Sequence, residues 1–322
     1  MRTLKNMAVL ACTAAVLTVT ACSGGDKATD SASSGAITLQ NCGRTVTLDG
    51  PAKAAITVNQ GATESALAIG AADQLIGTAY LDDVIAPQWA QAYAKIPVLS
   101  AKYPSREAVL EKRPDLIAAS YSSAFDDKAL GSEQSLAELG IASYVSPFGC
   151  ADKTQRPKAS WDAVAGETSD YGTMFGRQGD ATRVNDQMRA TLDRLTEKAA
   201  GKGKTVMWWD AQTTTPSVGG RDGGPQLVMD AVGATNVFAD LPGNWADTSW
   251  EAVLKADPDV IVLIDADWDR ADAKRRYLES DPAMKDLKAV KAGSFVVIPF
   301  SESTPGARMI DGAVRLSDAL AK

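Results

Sequence analysis

The stretch Glu107-Ala108-Val109-Leu110-Glu111-Lys112-Arg113-Pro114-Asp115-Leu116-Ile117 decides the fold class, because it joins a helix, a tight turn and a buried strand. Residues 251–261, EAVLKADPDVI, repeat the same order in the second half of the chain. In both copies, apolar residues at helical spacing precede a Pro-Asp turn and an apolar run. One copy per half predicts an α/β protein with two similar lobes. Pro-Asp is also a common way to enter a strand, and this alternative explains the echo without a repeat.

Short apolar runs elsewhere predict the other strands, and they alternate with amphipathic stretches as in α/β proteins. The run 259–264 is nearly all apolar or β-branched, as expected of a parallel strand covered on both faces. The predicted strands are 54–58, 75–79, 115–119, 142–145, 205–209, 259–264 and 295–298. Helices are predicted at 63–69, 105–112, 225–232 and 250–255, with Thr63 and Ser105 as N-caps.

Residues 174–200 predict one long helix between the halves, because Val184, Met188, Leu192 and Leu195 form a single apolar face. Gly176 and Gly179 weaken its start. The predicted organisation is an N-terminal lobe at 37–170, a connecting helix at 171–202 and a C-terminal lobe at 203–322. A single helical connector should be stiff, so we expect limited closure of the lobes.

The start of the chain reads as a signal for export. Arg2 and Lys5 precede an apolar run from residue 7 to residue 19, which is too short for a membrane-spanning helix of about 20 residues. Small residues before Cys22 resemble a lipobox, so residues 1–21 are a predicted lipoprotein signal peptide and Cys22 the lipidation site. An ordinary secretory cleavage site is the alternative. Residues 22–36 are rich in Gly, Ser and Ala and predict a flexible tether.

Cysteine and histidine content limits the chemistry. Cys12 lies in the predicted signal and Cys22 takes the lipid, so Cys42 and Cys150 remain, and in an exported protein they most simply form a disulfide. Two free thiols are the alternative. The chain has no histidine, which excludes Ser-His-Asp and Cys-His catalysis and disfavours a bare metal site.

Charge disfavours nucleic acid as a partner. The formal net charge is −7, and removal of residues 1–21, with two positive and no negative side chains, makes it −9. Nucleic-acid binding needs a basic surface.

The order of motifs resembles the class III solute-binding proteins of ABC importers, which carry iron–siderophore and cobalamin binders. The resemblance spans about residues 42–320 and rests on residues 62–77, the two Pro-Asp units, the long helix, and residues 226–233 (QLVMDAVG). It implies two Rossmann-like lobes joined by one long spine helix, with a ligand cleft between the lobes. It also implies a monomer without catalytic activity or cofactor. The implied partners are a small-molecule ligand, an ABC permease with its ATPase, and the membrane through a lipid anchor on its extracytoplasmic face.

Within this group the chain looks closest to an actinobacterial lipoprotein branch. The shared features are Asn41-Cys42-Gly43, residues 144–147 (YVSP) before Cys150, and residues 215–219 (TPSVG) ahead of Pro225. That branch is associated with uptake of a deazaflavin cofactor precursor. A ferric siderophore is the commoner ligand of the broader group, and cobalamin is a further alternative.

Two acidic residues are predicted to dock the permease. The resemblance implies one carboxylate on each lobe that meets arginines of the permease, and the matching positions are Glu64 and Glu251, both early in predicted helices. Paired carboxylates suit bidentate contact with guanidinium groups. The alternative is that both acids simply stabilise the N-terminal ends of their helices.

Loop residues after strands are the predicted ligand contacts. Aromatic rings with a few cations suit a planar or anionic ligand. Arg221 lies in the glycine-rich segment 219–224, where backbone can approach a ligand closely. Trp161, Trp208 and Trp250 are more simply core residues. The candidates are Tyr80, Trp89, Lys102, Tyr103, Arg106, Tyr121, Tyr144, Trp209, Arg221, Trp245, Trp268 and Phe300.

Two other classes of function compete with import. An exported enzyme would need a carboxylate pair, as in a glycosidase, and nothing in the spacing singles out such a pair. A surface adhesion lipoprotein is the third class. Saturable binding of a solute without turnover distinguishes the importer from the enzyme.

Overall fold

Two β-sheets flanked by helices organise the chain in a computed structural model, which describes residues 35–322. The predicted signal peptide, Cys22 and nearly all of the predicted tether lie outside the described residues. The strands are β1 (Ile37–Asn41), β2 (Arg44–Leu48), β3 (Ala55–Val58), β4 (Leu75–Ala79), β5 (Val98–Ser100), β6 (Leu116–Ala119), β7 (Ala142–Val145), β8 (Thr205–Ala211), β9 (Ser217–Gly219), β10 (Thr235–Asn236), β11 (Trp245–Asp247), β12 (Val260–Asp265) and β13 (Phe295–Pro299). The helices are α1 (Gln60–Ala68), α2 (Ala90–Tyr93), α3 (Arg106–Glu111), α4 (Glu133–Ala137), α5 (Trp161–Met174), α6 (Gln178–Lys198), α7 (Gly224–Ala231), α8 (Trp250–Ala256), α9 (Ala271–Ser280), α10 (Lys288–Ala292) and α11 (Met309–Leu320).

The N-terminal sheet is entirely parallel, in the order β5-β4-β3-β6-β7. The chain runs from β3 outward to β5 and then returns to β6 on the other side of β3. In parallel sheets such a reversal leaves a crevice at the carboxyl ends of the two strands. All residues of β3, β6 and β7 are buried, and their apolar side chains belong to two hydrophobic clusters, one on each face of the sheet.

The C-terminal sheet is mixed, in the order β11-β9-β8-β12-β13 with β10 beside β8. Strands β8, β10, β12 and β13 are parallel, whereas β9 and β11 pair antiparallel at the edge. Five of the six residues of β12 are buried, which confirms the strand predicted at 259–264. Two sheets, each with its own core, confirm the predicted α/β class with two lobes.

The repeated helix–turn–strand unit has the same local structure in both lobes. Ser105 and Ser249 cap α3 and α8 through their hydroxyl groups, so the predicted cap at Ser105 is confirmed. Each unit ends its helix with a residue of positive φ before the proline, Arg113 at 53° and Asp257 at 39°.

The aspartate of each Pro-Asp turn ties its unit to the central strand of its sheet. Asp115 accepts hydrogen bonds from the backbone N–H of Ala54 at 3.1 Å, just before β3. Asp259 accepts from the backbone N–H of Thr205 at 2.9 Å, at the start of β8. These hydrogen bonds lower the pKa of Asp259 to about 2. The repeat is therefore structural, because each aspartate fixes the register of helix, turn and sheet.

The connecting helix predicted over 174–200 is α6, which begins at Gln178, four residues later than predicted. Gly176, at φ 66°, ends α5, and Arg177 N–H bonds back to the carbonyl of Gly172 at 2.7 Å. This is the Schellman arrangement that terminates helices. Helix α6 then begins at Gln178 and packs beside α5, with Met188 and Leu195 buried as predicted. Among residues 35–322, no helix combines the length and apolar character needed to cross a membrane.

Helix α1 begins earlier than predicted. Thr63 is not its cap, because the helix starts at Gln60 and Thr63 lies inside it. The buried Thr63 hydroxyl bonds to the Thr57 hydroxyl at 2.9 Å and to the carbonyl of Asn59 at 3.0 Å, which pins α1 onto β3.

The β1–β2 hairpin is fastened to the edge of the N-terminal sheet. A disulfide joins Cys42, in its turn, to Cys150, which confirms the predicted pair. The neighbouring Asn41 side chain donates to the carbonyl of Val145 at 2.7 Å and accepts from its N–H at 2.9 Å. The segment after β7 is thus held from both sides.

Candidate functional site

A cleft opens between the two sheets, and its innermost part is a chamber of 60 Å³. We call it the inner chamber. It is lined by Asn59, Gln60, Gly61, Asp82, Ser120, Tyr121, Ser146, Phe148, Gly149, Asn244, Trp245, Phe300, Ser301, Thr304 and Pro305.

The N-terminal wall of the inner chamber is built from strand ends. Asn59, Ser120 and Ser146 directly follow β3, β6 and β7, and all three line the chamber. Because β3 and β6 flank the point where the strand order reverses, the chamber lies where a parallel sheet leaves its crevice. Ser120 also accepts a hydrogen bond from the N–H of Ala62 at 3.0 Å and so joins α1 to the wall.

Gly149 lets the segment after β7 close against β6. A Cβ atom at this position would lie 1.9 Å from the carbonyl oxygen of Ser120, so no other residue fits. The Cys42–Cys150 disulfide holds the next residue. Phe148 is therefore fixed as part of the chamber wall.

Asn59 and Gln60 form the floor of the inner chamber. Their side chains are 2% and 3% exposed. Within residues 35–322, the Oδ1 of Asn59 and both amide atoms of Gln60 have no hydrogen-bond partner of good geometry, although the Gln60 amide lies beside Glu64 and lowers the pKa of that carboxyl. A buried polar atom without a partner costs about 1–3 kcal/mol. Asn59 also has φ 73° and ψ 159°, a backbone region that is essentially restricted to glycine and costs on the order of 1–3 kcal/mol.

A second cavity of 720 Å³, which we call the outer basin, continues the cleft towards solvent. It shares Phe148, Asn244, Trp245 and Pro305 with the inner chamber. Its other lining residues are Lys153, Arg156, Pro157, Lys158, Ala159, Asp222 and Gly243.

The outer basin is cationic. None of Lys153, Arg156 and Lys158 lies within 4.0 Å of a carboxylate in the part of the chain that the structure describes. The Nε of Arg156 donates to the carbonyl of Cys150 at 2.7 Å, which orients its guanidinium group. The one acid of the basin, Asp222, already accepts from the N–H of Gly243 at 2.7 Å. The basin can therefore attract an anionic group.

Three predicted ligand contacts, Tyr121, Trp245 and Phe300, line the inner chamber. A fourth, Trp268, is 55% exposed and packs edge-on against Phe300 at 5.7 Å between ring centroids. Loss of solvent in the cleft raises the pKa of Tyr121, and the nearby Asp82 raises it further. Tyr121 therefore presents a neutral hydroxyl group to the inner chamber, which Trp245 and Phe300 also line.

Three further predicted contacts form one cluster on the N-terminal lobe. The rings of Tyr80 and Tyr103 meet edge-on at 4.8 Å, and the Nζ of Lys102 lies 4.6 Å from the Tyr80 ring centroid. The Tyr103 hydroxyl hydrogen-bonds the Ser123 hydroxyl at 2.8 Å. None of the three lines the inner chamber or the outer basin.

Two carboxylates, the buried Asp210 and the half-buried Asp82, lie at the chamber. Burial raises the pKa of Asp210 to about 6, although the nearby Lys274 opposes this effect. Burial also raises the pKa of Asp82, again against a nearby cation, Lys102. A ligand that carries its own negative charge into the chamber would meet Asp82 there, so the chamber disfavours anions.

Glu64 is not a surface residue, which contradicts its predicted docking role. It is 2% exposed, accepts from the N–H of Ala86 at 2.9 Å, and pairs with Arg308 of the other lobe at 3.3 Å. Burial raises the pKa of Glu64 to about 7, and the charge of Arg308 opposes this effect. A carboxylate enclosed in this way cannot reach the arginines of another protein.

The Glu64–Arg308 pair belongs to a network that links the lobes. Arg308 also donates to Glu302 at 2.7 Å, and Glu302 accepts from Arg315 at 2.7 Å. Nearby, the Ser301 hydroxyl donates to Asp83 at 2.6 Å. These contacts join α1 and the segment after β4 to the segment between β13 and α11.

Two predicted ligand contacts are wrong, because they are core residues. Tyr144 is fully buried within β7 and its hydroxyl donates to Asp170 at 2.8 Å. Trp209 is fully buried within β8 and packs edge-on against Trp250 at 5.0 Å. Both residues lie inside strands, where side chains point into the layers that cover the sheet.

Three other predicted contacts lie away from both cavities. Trp89 lines a separate cavity of 300 Å³ beside α6. The guanidinium of Arg106 packs over Gly131. Arg221 faces Asp222 and the carbonyl of Asp240.

Glu251 is exposed in the first turn of α8. Hydrogen bonds to its own backbone N–H and to Ser249 lower its pKa, so it is ionised at neutral pH. The matching residue of the N-terminal repeat is Glu107, which is also exposed, in the first turn of α3.

Metal ligands do not cluster in residues 35–322. No group of three or more Cys, Asp or Glu side chains is placed to hold a metal ion within this range. The polar atoms of the cleft are amides, hydroxyls and cations, with one carboxylate in each cavity, Asp82 and Asp222, and this set suits an organic ligand.

Comparison with known proteins places the chain among binding proteins. A family model described as "Periplasmic binding protein" matches residues 56–302, which include both sheets. The chain is 23% identical over 284 residues to an uncharacterized ABC transporter substrate-binding lipoprotein, YvrC, of Bacillus subtilis (strain 168). The match covers 85% of this chain and 82% of the relative.

Solved structures share the fold. A periplasmic binding protein from Veillonella parvula DSM 2008 superimposes with a TM-score of 0.77 at 24% identity and covers 88% of this chain and 98% of its own. A structure described as an ABC-type Fe³⁺-hydroxamate transport system, from Saccharomonospora viridis DSM 43017, gives 0.73 at 23% identity and covers 89% and 99%. These likenesses confirm the two-lobed architecture.

Proposed function

The chain belongs to the periplasmic binding protein family, and on that basis we propose that it captures a small solute in the interlobe cleft and delivers it to an ABC importer. The observation that carries this proposal is the cleft itself, where buried amides without partners face a chamber that opens into a cationic basin. Such groups are available to hydrogen-bond a solute that enters the cleft. A ferric siderophore is the first candidate; cobalamin and a deazaflavin cofactor precursor are alternatives.

Family membership confirms two predictions made from the sequence. The resemblance to solute-binding proteins of importers is confirmed at the level of the family. The prediction that the chain is not an enzyme is also confirmed, because the matched family and the named relative bind substrates for transport.

We propose that the protein is anchored outside the cell by lipid at Cys22. The support is the sequence before Cys22 and the description of the Bacillus subtilis relative as a lipoprotein. Metabolic labelling with an alkyne-bearing fatty acid tests the anchor. The wild-type chain should be labelled and should partition with membranes, whereas Cys22→Ala should be unlabelled; label retained by Cys22→Ala would contradict the assignment.

We propose that Glu107 and Glu251 form the docking pair, in place of Glu64. Both occupy the same position of the repeated unit, directly after a helix-capping serine and arginine or tryptophan, and both are exposed. Two equivalent carboxylates on similar lobes suit a permease whose two halves each present arginines. Contacts between these carboxylates and arginines of the permease would set the orientation of the docked protein more than they would raise its affinity.

Uptake in cells tests both delivery and docking. We expect a deletion strain to lose accumulation of the transported solute and the wild-type gene to restore it. The double variant Glu107→Gln/Glu251→Gln should bind solute normally yet restore less than about a tenth of the uptake, since each lost charged contact is worth more than about 1 kcal/mol. Glu111→Gln, at the opposite end of α3, is the matched control. Full uptake by the double variant would refute docking, and full uptake by the deletion strain would refute the proposed function.

A further inference from the structure

We propose that the inner chamber binds a positively charged head group of the solute, a primary ammonium, while the larger part of the solute stays in the outer basin. The groups that recognise the ammonium are the carboxylate of Asp82, neighbouring oxygen acceptors and the aromatic rings of the chamber wall. This inference rests on the proposed function and names a charged feature of its solute.

The side chains that line the inner chamber carry one formal charge, and it is negative. Asp82 lines the chamber, whereas no lysine or arginine among residues 35–322 does so. Within the same range, Asp82 has no cation of the protein within 4.0 Å. A partly desolvated carboxylate without a countercharge is unfavourable, so a ligand that brings a positive charge is favoured.

Other acids near Asp82 strengthen the negative potential. Burial raises the pKa of Asp82, Lys102 opposes this effect, and Asp267 and Asp83 raise the pKa further. The Nζ of Lys102 lies 4.6 Å from the centroid of the Tyr80 ring, so this ammonium is held over an aromatic face. The acids therefore outnumber the one lysine at this end of the cleft.

Asp210 adds negative charge beside Tyr121 and Trp245. Its side chain is 9% exposed, and its charge contributes to the raised pKa of Tyr121. Burial raises the pKa of Asp210, and Lys274 and the Trp245 indole oppose this effect. The Nζ of Lys274 is already paired with Asp269 at 3.3 Å. Two of the rings that line the chamber are thus backed by a carboxylate.

The N-terminal end of α1 brings positive character to the chamber, but it is weaker than Asp82. A helix N-terminus is equivalent to about half of a positive charge. Part of it is already used, because the N–H of Ala62 bonds to Ser120 at 3.0 Å and the N–H of Thr63 bonds to the carbonyl of Asn59 at 3.2 Å. The full charge of Asp82 therefore decides the sign.

Aromatic rings surround the site of the head group. Tyr121, Phe148, Trp245 and Phe300 line the chamber. The face of an aromatic ring attracts a cation, most strongly where water is excluded. The chamber has a volume of 60 Å³, against 720 Å³ for the outer basin, so it admits a head group of few atoms and leaves the larger part of the solute outside.

Oxygen acceptors favour a primary ammonium over a quaternary one. Asn59 is 2% exposed, and its Oδ1 has no hydrogen-bond partner among residues 35–322. The Ser301 hydroxyl donates its proton to Asp83 at 2.6 Å, so its oxygen is left as an acceptor at the chamber. With Asp82, these oxygens match the three N–H donors of a primary ammonium.

Butylammonium tests the head group alone, because it carries one primary ammonium on a short chain. Butan-1-ol is its neutral analogue, and tetramethylammonium keeps the charge but lacks N–H donors. Isothermal titration calorimetry of the detergent-solubilised full chain, at constant ionic strength, measures each affinity. We expect saturable binding of butylammonium, and about tenfold or greater losses of affinity for each of the other two probes.

Variants of the protein separate charge from ring. Asp82→Asn keeps the shape of the side chain and should weaken butylammonium by about tenfold and butan-1-ol far less. Tyr121→Leu removes a ring and should weaken butylammonium by about fivefold, whereas Tyr121→Phe, which keeps the ring, should not. Asp193→Asn removes an exposed carboxylate of α6 that lines neither cavity and is the matched control. Thermal unfolding of each variant checks that it is folded.

Several outcomes would overturn the inference. They are no saturation by butylammonium up to about 50 mM, equal affinity for butylammonium and either of the other probes, or equal affinity of wild type and Asp82→Asn for butylammonium. The uptake assay separates this inference from the proposed function. If butylammonium fails to bind while the deletion strain loses uptake, the inference fails and the proposed function stands; the proposed function itself fails only if the deletion strain keeps full uptake.

Discussion

Glu167 gives the sharpest test of the electrostatics of this fold, because it is a carboxyl group enclosed without a countercharge. It lies on α5, is 4% exposed, and its Oε2 has no hydrogen-bond partner among residues 35–322. Burial raises the pKa of Glu167 from 4.5 to about 7; Asp170 adds to the increase, and a hydrogen bond with Ser146 opposes it. The perturbation that tests this is Glu167→Gln, which keeps the shape and removes the ionisable proton.

The sign follows from proton binding in the two states. Between pH 4.5 and about 7 the folded protein keeps a proton on Glu167 that the unfolded chain releases. Stability therefore falls as the pH rises through this interval. Each pH unit corresponds to about 1.4 kcal/mol, so the full effect is on the order of 3 kcal/mol. Glu167→Gln should differ little from wild type at pH 4.5 and should be more stable by up to about 3 kcal/mol at pH 8.

Urea unfolding followed by tryptophan fluorescence measures the difference at a series of pH values. The free energy of unfolding of Glu167→Gln minus that of the wild type should rise between pH 4.5 and 7 and then level off. Glu197→Gln, which removes an exposed carboxylate from the neighbouring helix α6, should give a flat difference. A flat difference for Glu167→Gln, or one that falls with pH, would refute the reasoning.

Three further predictions concern the links that hold the cleft. Removal of the disulfide by Cys42→Ser/Cys150→Ser should lower the free energy of unfolding by about 5 kcal/mol, because the bond spans 108 residues; an unchanged urea midpoint would contradict this. Asn59→Gly should stabilise the fold by about 1 kcal/mol, because it relieves the backbone strain at φ 73°, yet should weaken solute binding; calorimetric unfolding and titration measure the two effects, and a destabilised variant would contradict the strain. Arg308→Met should cost roughly 3–5 kcal/mol at pH 8, since it leaves the buried Glu64 carboxylate without its cation while Glu302 keeps Arg315, and Glu64→Gln in the same chain should recover part of the loss; urea unfolding without such recovery would contradict the pairing.

Local patterns were sufficient to predict the repeated unit. Its helix is set by apolar spacing and a serine cap, and its strand by a short apolar run, so each part depends on residues within one turn or one strand. The lobes follow because the pattern occurs twice. Asp115 and Asp259 show why the pattern includes an aspartate, since each carboxylate holds the start of the neighbouring central strand.

The sequence around Glu64 does not predict that its side chain is buried. An acid near the start of a helix normally faces solvent, but α1 buries seven of its nine residues. Helix α1 is packed between its own sheet and the C-terminal lobe, and Arg308, 244 residues along the chain, provides the partner that makes burial tolerable. The predicted start of the connecting helix is four residues too early, because Gly176 adopts a left-handed conformation that ends α5, and α6 begins at Gln178.

Residue type predicts the lining of the cleft less well than position relative to a strand does. Tyr144 and Trp209 are aromatic but lie within strands, and the parallel sheet buries them. Asn59, Ser120 and Ser146 are small and polar, yet each is the first residue after a strand of the N-terminal sheet, and each lines the inner chamber. The rule holds in the other lobe, where β13 ends at Pro299 and Phe300 lines the chamber. Parallel strands bring their carboxyl ends to one edge, so the residue after a buried strand is a better indicator of the cleft than an aromatic side chain nearby.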